Sequence, residues 1–325
     1  MSTTPIPVTV LTGFLGAGKT TLLRYLLEGD HGLKIAVIEN EFSEADIDGA
    51  LLGDKAVQIV KVANGCVCCT GSKDLSYALT ILLEQLDKGE IEFDRLVIEC
   101  TGLADPGPVA QTFFMDEELR ERYLLDGIIT LVDAVHAQEQ LSMPIAQAQV
   151  GFADRLLISK RDLVSDRAFE ALGERLQRIN RRASIHEVNH GRVDLKLLLD
   201  IRGFNLNDQL DQKTLFRPLT PARTEKPDSI TSLAIKVEHP LHIDRISHFM
   251  EGVLEAHGSN LLRYKGILNI ADEPRRLLFQ GVQRLYGADW DREWREDEIR
   301  ESVIVFIGMD LPEEDLRQGF EAAQV

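Results

Sequence analysis

Along the first two hundred residues, apolar positions fall into short unbroken runs separated by longer stretches in which they return every three or four residues. The runs are PVTVLTG (7–13), KIAVIEN (34–40), AVQIVKV (56–62), RLVIEC (95–100), GIITLVD (127–133), RLLIS (155–159) and SIHEV (184–188). Unbroken runs of this length predict strands covered on both faces, as in a parallel sheet wrapped by helices. KTTLLRYLLEG and DLSYALTILLEQLDKG supply covering helices, the second opening on Asp74 as N-cap and closing at Gly89. The alternation predicts an α/β domain with a mostly parallel sheet over residues 1–203.

The pattern lapses in GFNLNDQLDQKTLFRPLTPARTEKPDS (203–229), rich in Asn, Asp, Pro and Thr, so residues 204–229 read as an exposed linker. A second pattern follows over 230–325. ITSLAIKVEH reads as a strand, HIDRISHFMEGVLEAHG as an amphipathic helix, and LLRYKGILNI with RRLLFQGVQRLY as hairpin strands. SVIVFIGM adds a strand, and PEEDLRQGFEAA a helix with Pro in its first turn. This order predicts a smaller C-terminal α+β domain, in which Arg263, Tyr264 and Lys265 read as part of a solvated hairpin.

Composition narrows the partners. The 325 residues carry a formal net charge of -17, which repels nucleic acid backbones and anionic membranes. The opening MSTTPIPVTVLTG lacks a basic segment leading into an apolar signal core, and no apolar run approaches membrane-spanning length. The expectation is a cytoplasmic protein whose thiols stay reduced, which makes disulfides a poor use for its four cysteines.

Directly after the first strand stands Gly13-Phe14-Leu15-Gly16-Ala17-Gly18-Lys19-Thr20, a G-x-x-x-x-G-K-[ST] loop between a strand and a helix. Glycines let successive amides converge on phosphate oxygens at a helix N-terminus. The nucleotide contacts expected here are Gly13, Gly16, Ala17, Gly18, Lys19, Thr20 and Thr21. Lys19 reaches the β- and γ-phosphates, and the Thr20 hydroxyl takes Mg²⁺. RLVIECTG supplies Glu99 as the second magnesium-linked group and, with Lys19, as a catalytic residue; the Gly102 amide is placed to sense the γ-phosphate. SKRD contributes Lys160 and Asp162. A carboxylate there pairs with the N1–H and 2-amino group of guanine, donors that adenine lacks, which favours GTP over ATP.

The set TGFLGAGKTTLL, IENEF, NGCVCC, ECTGLADPGP, SKRD, LLRYKGIL and QGVQRLY resembles the CobW family of metal-linked P-loop GTPases, in its YjiA-like branch, over nearly the whole chain. The resemblance implies slow intrinsic GTP hydrolysis, binding of zinc or a similar transition metal, and a role in metal trafficking to client enzymes. Two positions and one region depart from the family pattern: Ser159 replaces the usual Asn of the guanine loop, Ser43 follows NEF where Gly is usual, and the C-terminal region has only scattered histidines (His239, His242, His248, His257).

NGCVCCT (64–70) holds three of the four cysteines. Thiolates are preferred soft ligands for Zn²⁺, so Cys66, Cys68 and Cys69 are the expected metal ligands, with Cys100 assigned to the core. In an extended segment Cys66 and Cys68 share one face and Cys69 takes the other, so oxygen ligands must complete the set. Glu39, Glu41 and Glu44 compete for that role; Glu39 and Glu44 are the choice. The segment after the second strand stands where GTPases place a loop ordered by Mg²⁺ and the γ-phosphate, so GTP and metal binding are expected to be coupled. Leu103 follows ECTG where a water-positioning Gln would speed hydrolysis, so unaided turnover should be slow.

The function expected is therefore a GTPase that binds and delivers metal, with GTP, Mg²⁺ and Zn²⁺ as cofactors and a client metalloprotein or another copy of the chain as partner. A metal-responsive regulatory GTPase and a small-metabolite kinase are the alternatives.

Overall fold

The computed structural model describes residues 5–39, 57–61, 72–203 and 228–325. The chain divides into two compact units, residues 1–173 with 183–205, and residues 174–182 with 206–325.

The first unit is built on seven parallel strands: β1 (Ile6–Gly13), β2 (Ile35–Glu39), β3 (Val57–Lys61), β4 (Arg95–Glu99), β5 (Tyr123–Asp133), β6 (Arg155–Ser159) and β7 (Ser184–Glu187). Their order in the sheet is β3-β2-β4-β1-β5-β6-β7, with every pairing parallel. The connections are α1 (Lys19–Glu28), α2 (Ser72–Asp87), α3 (Pro106–Met115), α4 (Glu117–Arg122), α5 (Ala137–Gln140), α6 (Pro144–Phe152) and α7 (Asp166–Ile179). Leu22, Leu23, Leu26 and Leu27 of α1 lie in one core cluster with Val37, Val97, Ile129 and Leu157 of the strands. Removing this apolar area from water stabilises the unit by about 25 cal/mol per Å². Because β1 stands between β4 and β5, the chain winds to opposite sides from this strand. The crevice at its carboxyl end is where such sheets take ligands.

Two expectations change here. Asp74 lies within the first turn of α2, which already begins at Ser72, so its carboxylate faces the positive end of the helix dipole and is not the N-cap. β5 starts at Tyr123, four residues before the apolar run, because the buried Asp126 interrupts the sequence pattern without interrupting the strand.

The second unit holds an antiparallel sheet of β8 (Ile230–Val237), β9 (Leu261–Asn269), β10 (Arg275–Val282), β11 (Leu285–Glu293) and β12 (Ser302–Met309), ordered β11-β10-β9-β12-β8. Its helices are α8 (Ile243–His257) and α9 (Glu313–Ala322). Ile246 and Met250 of α8 and Leu316 and Phe320 of α9 share a core with Leu233, Tyr264, Phe279 and Phe306 of the sheet. RRLLFQGVQRLY is not one strand: β10 ends at Val282 and β11 begins at Leu285, with Gln283 in the left-handed region between them. The solvated hairpin expected at 263–265 is also corrected, since Arg263 and Lys265 are each 2% exposed and Tyr264 is fully buried. Among the described residues no helix is long and apolar enough to cross a membrane.

Candidate functional site

The loop after β1 turns on three glycines with positive φ, Gly13 (137°), Gly16 (76°) and Gly18 (101°), a region that side chains bearing Cβ rarely enter. At Gly13 space forbids one as well: a Cβ would lie 2.4 Å from the carbonyl oxygen of Leu131 on β5. Gly18 is the N-cap of α1, so the first amides of that helix open into the loop. Lys19 reaches back to donate from Nζ to the carbonyls of Gly13 (2.9 Å) and Phe14 (3.3 Å). Burial lowers the Lys19 pKa, opposed in part by the nearby Glu99 and Cys100.

Beside the loop, Thr20 donates its hydroxyl to Glu99 Oε1 at 3.1 Å. Glu99 is 8% exposed at the end of β4, so a hydroxyl and a carboxylate converge to about the spacing of two adjacent ligands on one octahedral ion. This oxygen pair fits a hard divalent cation such as Mg²⁺. Gly102 follows in a turn pressed against the loop: a Cβ there would lie 2.5 Å from the Leu15 amide nitrogen. The turn ends in Asp105, which caps α3 by accepting from the Gly107 amide, and whose pKa burial raises. Leu15 and Leu103 are exposed next to this turn, at 57% and 56%.

The loop expected to read guanine follows β6. Lys160 holds a left-handed backbone (φ 57°), costly for a residue with Cβ. Its Nζ donates to Asp133 Oδ2 at 2.7 Å, and His136 Nδ1 lies 2.8 Å from the same oxygen. Burial alone would raise the Asp133 pKa, but hydrogen bonds from Lys160, His136 and the Val135 amide outweigh it and hold the carboxyl low. Asp162 is exposed in the short 3₁₀ turn Arg161–Leu163. Ser159 donates to the Ala17 carbonyl at 2.8 Å, tying the guanine loop to the phosphate loop with one hydroxyl. The departure at Ser159 thus leaves the two loops joined.

Thr20, Lys19, Glu99, Gly102 and the phosphate loop therefore meet at the carboxyl edge of the sheet, and Lys160 reaches Asp133 at the end of a neighbouring strand. Sequence reasoning missed Asp133. A charged residue closing an apolar strand at the ligand edge was its signal. It also missed the turn Asn189–Arg192, where a Cβ on Gly191 would strike Thr21 (2.7 Å from Cγ2); no sequence feature pointed to that contact.

Of the expected metal ligands, Cys66, Cys68, Cys69 and Glu44 lie outside the described residues, as does the side chain of Glu39. The competing Glu41 and the departure at Ser43 do too. Cys100 is buried in the core of the first unit and forms no disulfide with any described residue. Strand register aligns the backbones from which these ligand segments leave: Glu39 pairs with Glu99 on one side and with Lys61 on the other. Among the described residues no three His, Cys, Asp or Glu side chains gather to hold a metal. His242 serves as the N-cap of α8, accepting from the Asp244 amide.

Residues 7–187 match the family described as CobW/HypB/UreG, nucleotide-binding domain, and residues 230–324 match the cobalamin synthesis protein CobW C-terminal domain. The zinc chaperone YjiA of Escherichia coli is 55% identical over 97% of this chain and 98% of its own length. The zinc chaperone CobW of a Sinorhizobium species is 30% identical over 98% of this chain and 97% of its own. The crystal structure of Zn(II)-bound YjiA GTPase from E. coli superposes with a TM-score of 0.82 at 50% identity, covering 99% of this chain and 100% of that one. In sequence and in fold, this chain belongs to the CobW/HypB/UreG family of nucleotide-binding proteins, with the CobW C-terminal domain attached.

Proposed function

We propose that this GTPase uses GTP binding and hydrolysis to control the capture and delivery of zinc, or a similar transition metal, to a client protein in the cytoplasm. Lys19, Thr20 and the amides of the phosphate loop hold the phosphates; Thr20 and Glu99 hold Mg²⁺; Lys160 and Asp162 select guanine. Cys66, Cys68 and Cys69, with Glu39 and Glu44, hold the cargo. Residues 230–325 recognise the client or a second copy of the chain.

The observation that carries this reading is the register Lys61–Glu39–Glu99 across β3, β2 and β4. Adjacent strands stand about 4.8 Å apart, so the segment bearing Glu44 and the segment bearing the thiols both leave the sheet within about 10 Å of the Mg²⁺-binding carboxylate. Cys66 follows Lys61 by five positions, a reach of at most about 18 Å. The names of the relatives, both zinc chaperones, support a metal cargo. A mixed thiolate and carboxylate set is less closed than four thiolates, which suits release as well as capture.

The test loads the chain with Zn²⁺ and follows transfer to a chromogenic chelator with GTP, with a non-hydrolysable analogue and with GDP. Transfer that accelerates only when GTP is hydrolysed supports delivery. Transfer indifferent to nucleotide contradicts it and leaves a regulatory GTPase.

A further inference from the structure

Gln149 belongs to no motif, yet it is 1% exposed on α6, and its side chain points at the nucleotide end of the sheet. Its Nε2 donates to two carbonyls of the turn after β4, Gly102 at 3.1 Å and Ala104 at 3.0 Å. Its own carbonyl accepts from Thr130 Oγ1 of β5 at 2.7 Å, which fixes the backbone from which the amide reaches out. A small cavity, about 10 Å³, lies between Gln149 and Phe14 of the phosphate loop, room for about one water. Three residues after the helix ends at Phe152, the chain enters β6, which leads into the Ser159–Asp162 loop.

We propose that Gln149 is a positioning residue for the γ-phosphate: it holds the 102–104 turn at the height where the Gly102 amide meets that phosphate, and so sets the preference for GTP over GDP. The proposal rests on reading Gly102 as the γ-phosphate contact. The chemistry is specific to an amide. Both N–H bonds of one nitrogen are spent on two carbonyls two residues apart, which fixes the orientation of the peptide units between them. Leucine fills the same volume and donates nothing. Glutamate, when ionised, sets a negative charge against two carbonyl oxygens; when protonated it donates once.

The experiment measures affinity for a non-hydrolysable GTP analogue and for GDP in the full chain, wild type against Gln149→Leu and Gln149→Glu, with thermal unfolding as a check that each is folded. The expected result is a loss of about tenfold in analogue affinity for both variants, the effect of roughly one net hydrogen bond, with GDP affinity within about twofold of wild type. Gln149→Glu should regain part of the loss as pH falls through its carboxyl pKa, while Gln149→Leu should not; packing damage alone would not follow pH in this way. An unchanged analogue-to-GDP ratio in both variants overturns the proposal. Gly102→Ala, whose Cβ meets Leu15, separates the two failures. If it lowers the ratio while the Gln149 variants do not, only the role of Gln149 falls; if it also leaves the ratio unchanged, the γ-phosphate reading of Gly102 falls with it.

Discussion

At its carboxyl edge the parallel sheet holds Lys19 against the carbonyls of Gly13 and Phe14, and Glu99 against the Thr20 hydroxyl. At its amino edge Arg95 is clasped by two carboxylates, Asp126 and Asp200, each at 2.6 Å, and by the Thr9 hydroxyl. Both edges bury charge, but they balance it differently. Asp126 also accepts from the amides of Ile201 and Arg202, so the amino-edge cluster closes on itself and secures the segment that leaves the domain. Lys19, with Glu99 nearby but not bonded to it, donates to two backbone carbonyls, dipoles that phosphate oxygens can replace. A buried charge matched by opposite charge serves the fold, and a buried charge resting on dipoles is ready for a ligand.

That contrast can be broken at either edge. Lys19→Ala should lower the GTP hydrolysis rate about 10³-fold, because it removes the cation at the developing phosphate charge, while leaving the unfolding midpoint nearly unchanged. Single-turnover hydrolysis beside a denaturant titration checks both. Arg95→Met should do the reverse. Stranding the buried Asp126 should cost about 3–5 kcal/mol of stability, with hydrolysis per folded molecule close to wild type. Loss of hydrolysis without loss of stability in Arg95→Met would erase the distinction between the two edges.

A smaller effect belongs to Ser159→Ala, which unties Ala17 from the guanine loop and should weaken GTP binding by about 1 kcal/mol. Smallest is an acid effect in the second unit. Burial would raise the Glu298 pKa, but bonds from Arg292 and the Arg295 amide and the charge of Arg276 overcome it and bring it down to about 2 from 4.5. A depressed carboxyl pKa gives stability that is complete above the unfolded value and is lost as pH falls through the folded one. The difference in Tm between wild type and Glu298→Gln should therefore be constant above pH 4.5, and should shrink between there and pH 2. A flat difference across that window would remove Glu298 from the account.

The sequence exposed the parallel strands because their apolar runs are unbroken, and the phosphate loop because its residues are contiguous. It concealed β11, an edge strand in which none of the nine positions of LYGADWDRE is buried. It misjudged Arg263 and Lys265, since local composition cannot reveal that a charged strand segment will be buried. Asp133 and Gln149 were silent for a different reason. Their partners, Lys160 and Gly102, stand 27 and 47 positions away, and only the folded sheet brings them together.

The coupling proposed between nucleotide and metal requires, by linkage, that each alter the other's affinity by the same factor. Zn²⁺ titration of the chain saturated first with a non-hydrolysable GTP analogue and then with GDP tests it directly. Coupling predicts different Zn²⁺ affinities in the two states, with the difference abolished by replacing Cys66, Cys68 and Cys69 with serine. Equal affinities for Zn²⁺ in the two nucleotide states of the unaltered chain would contradict it.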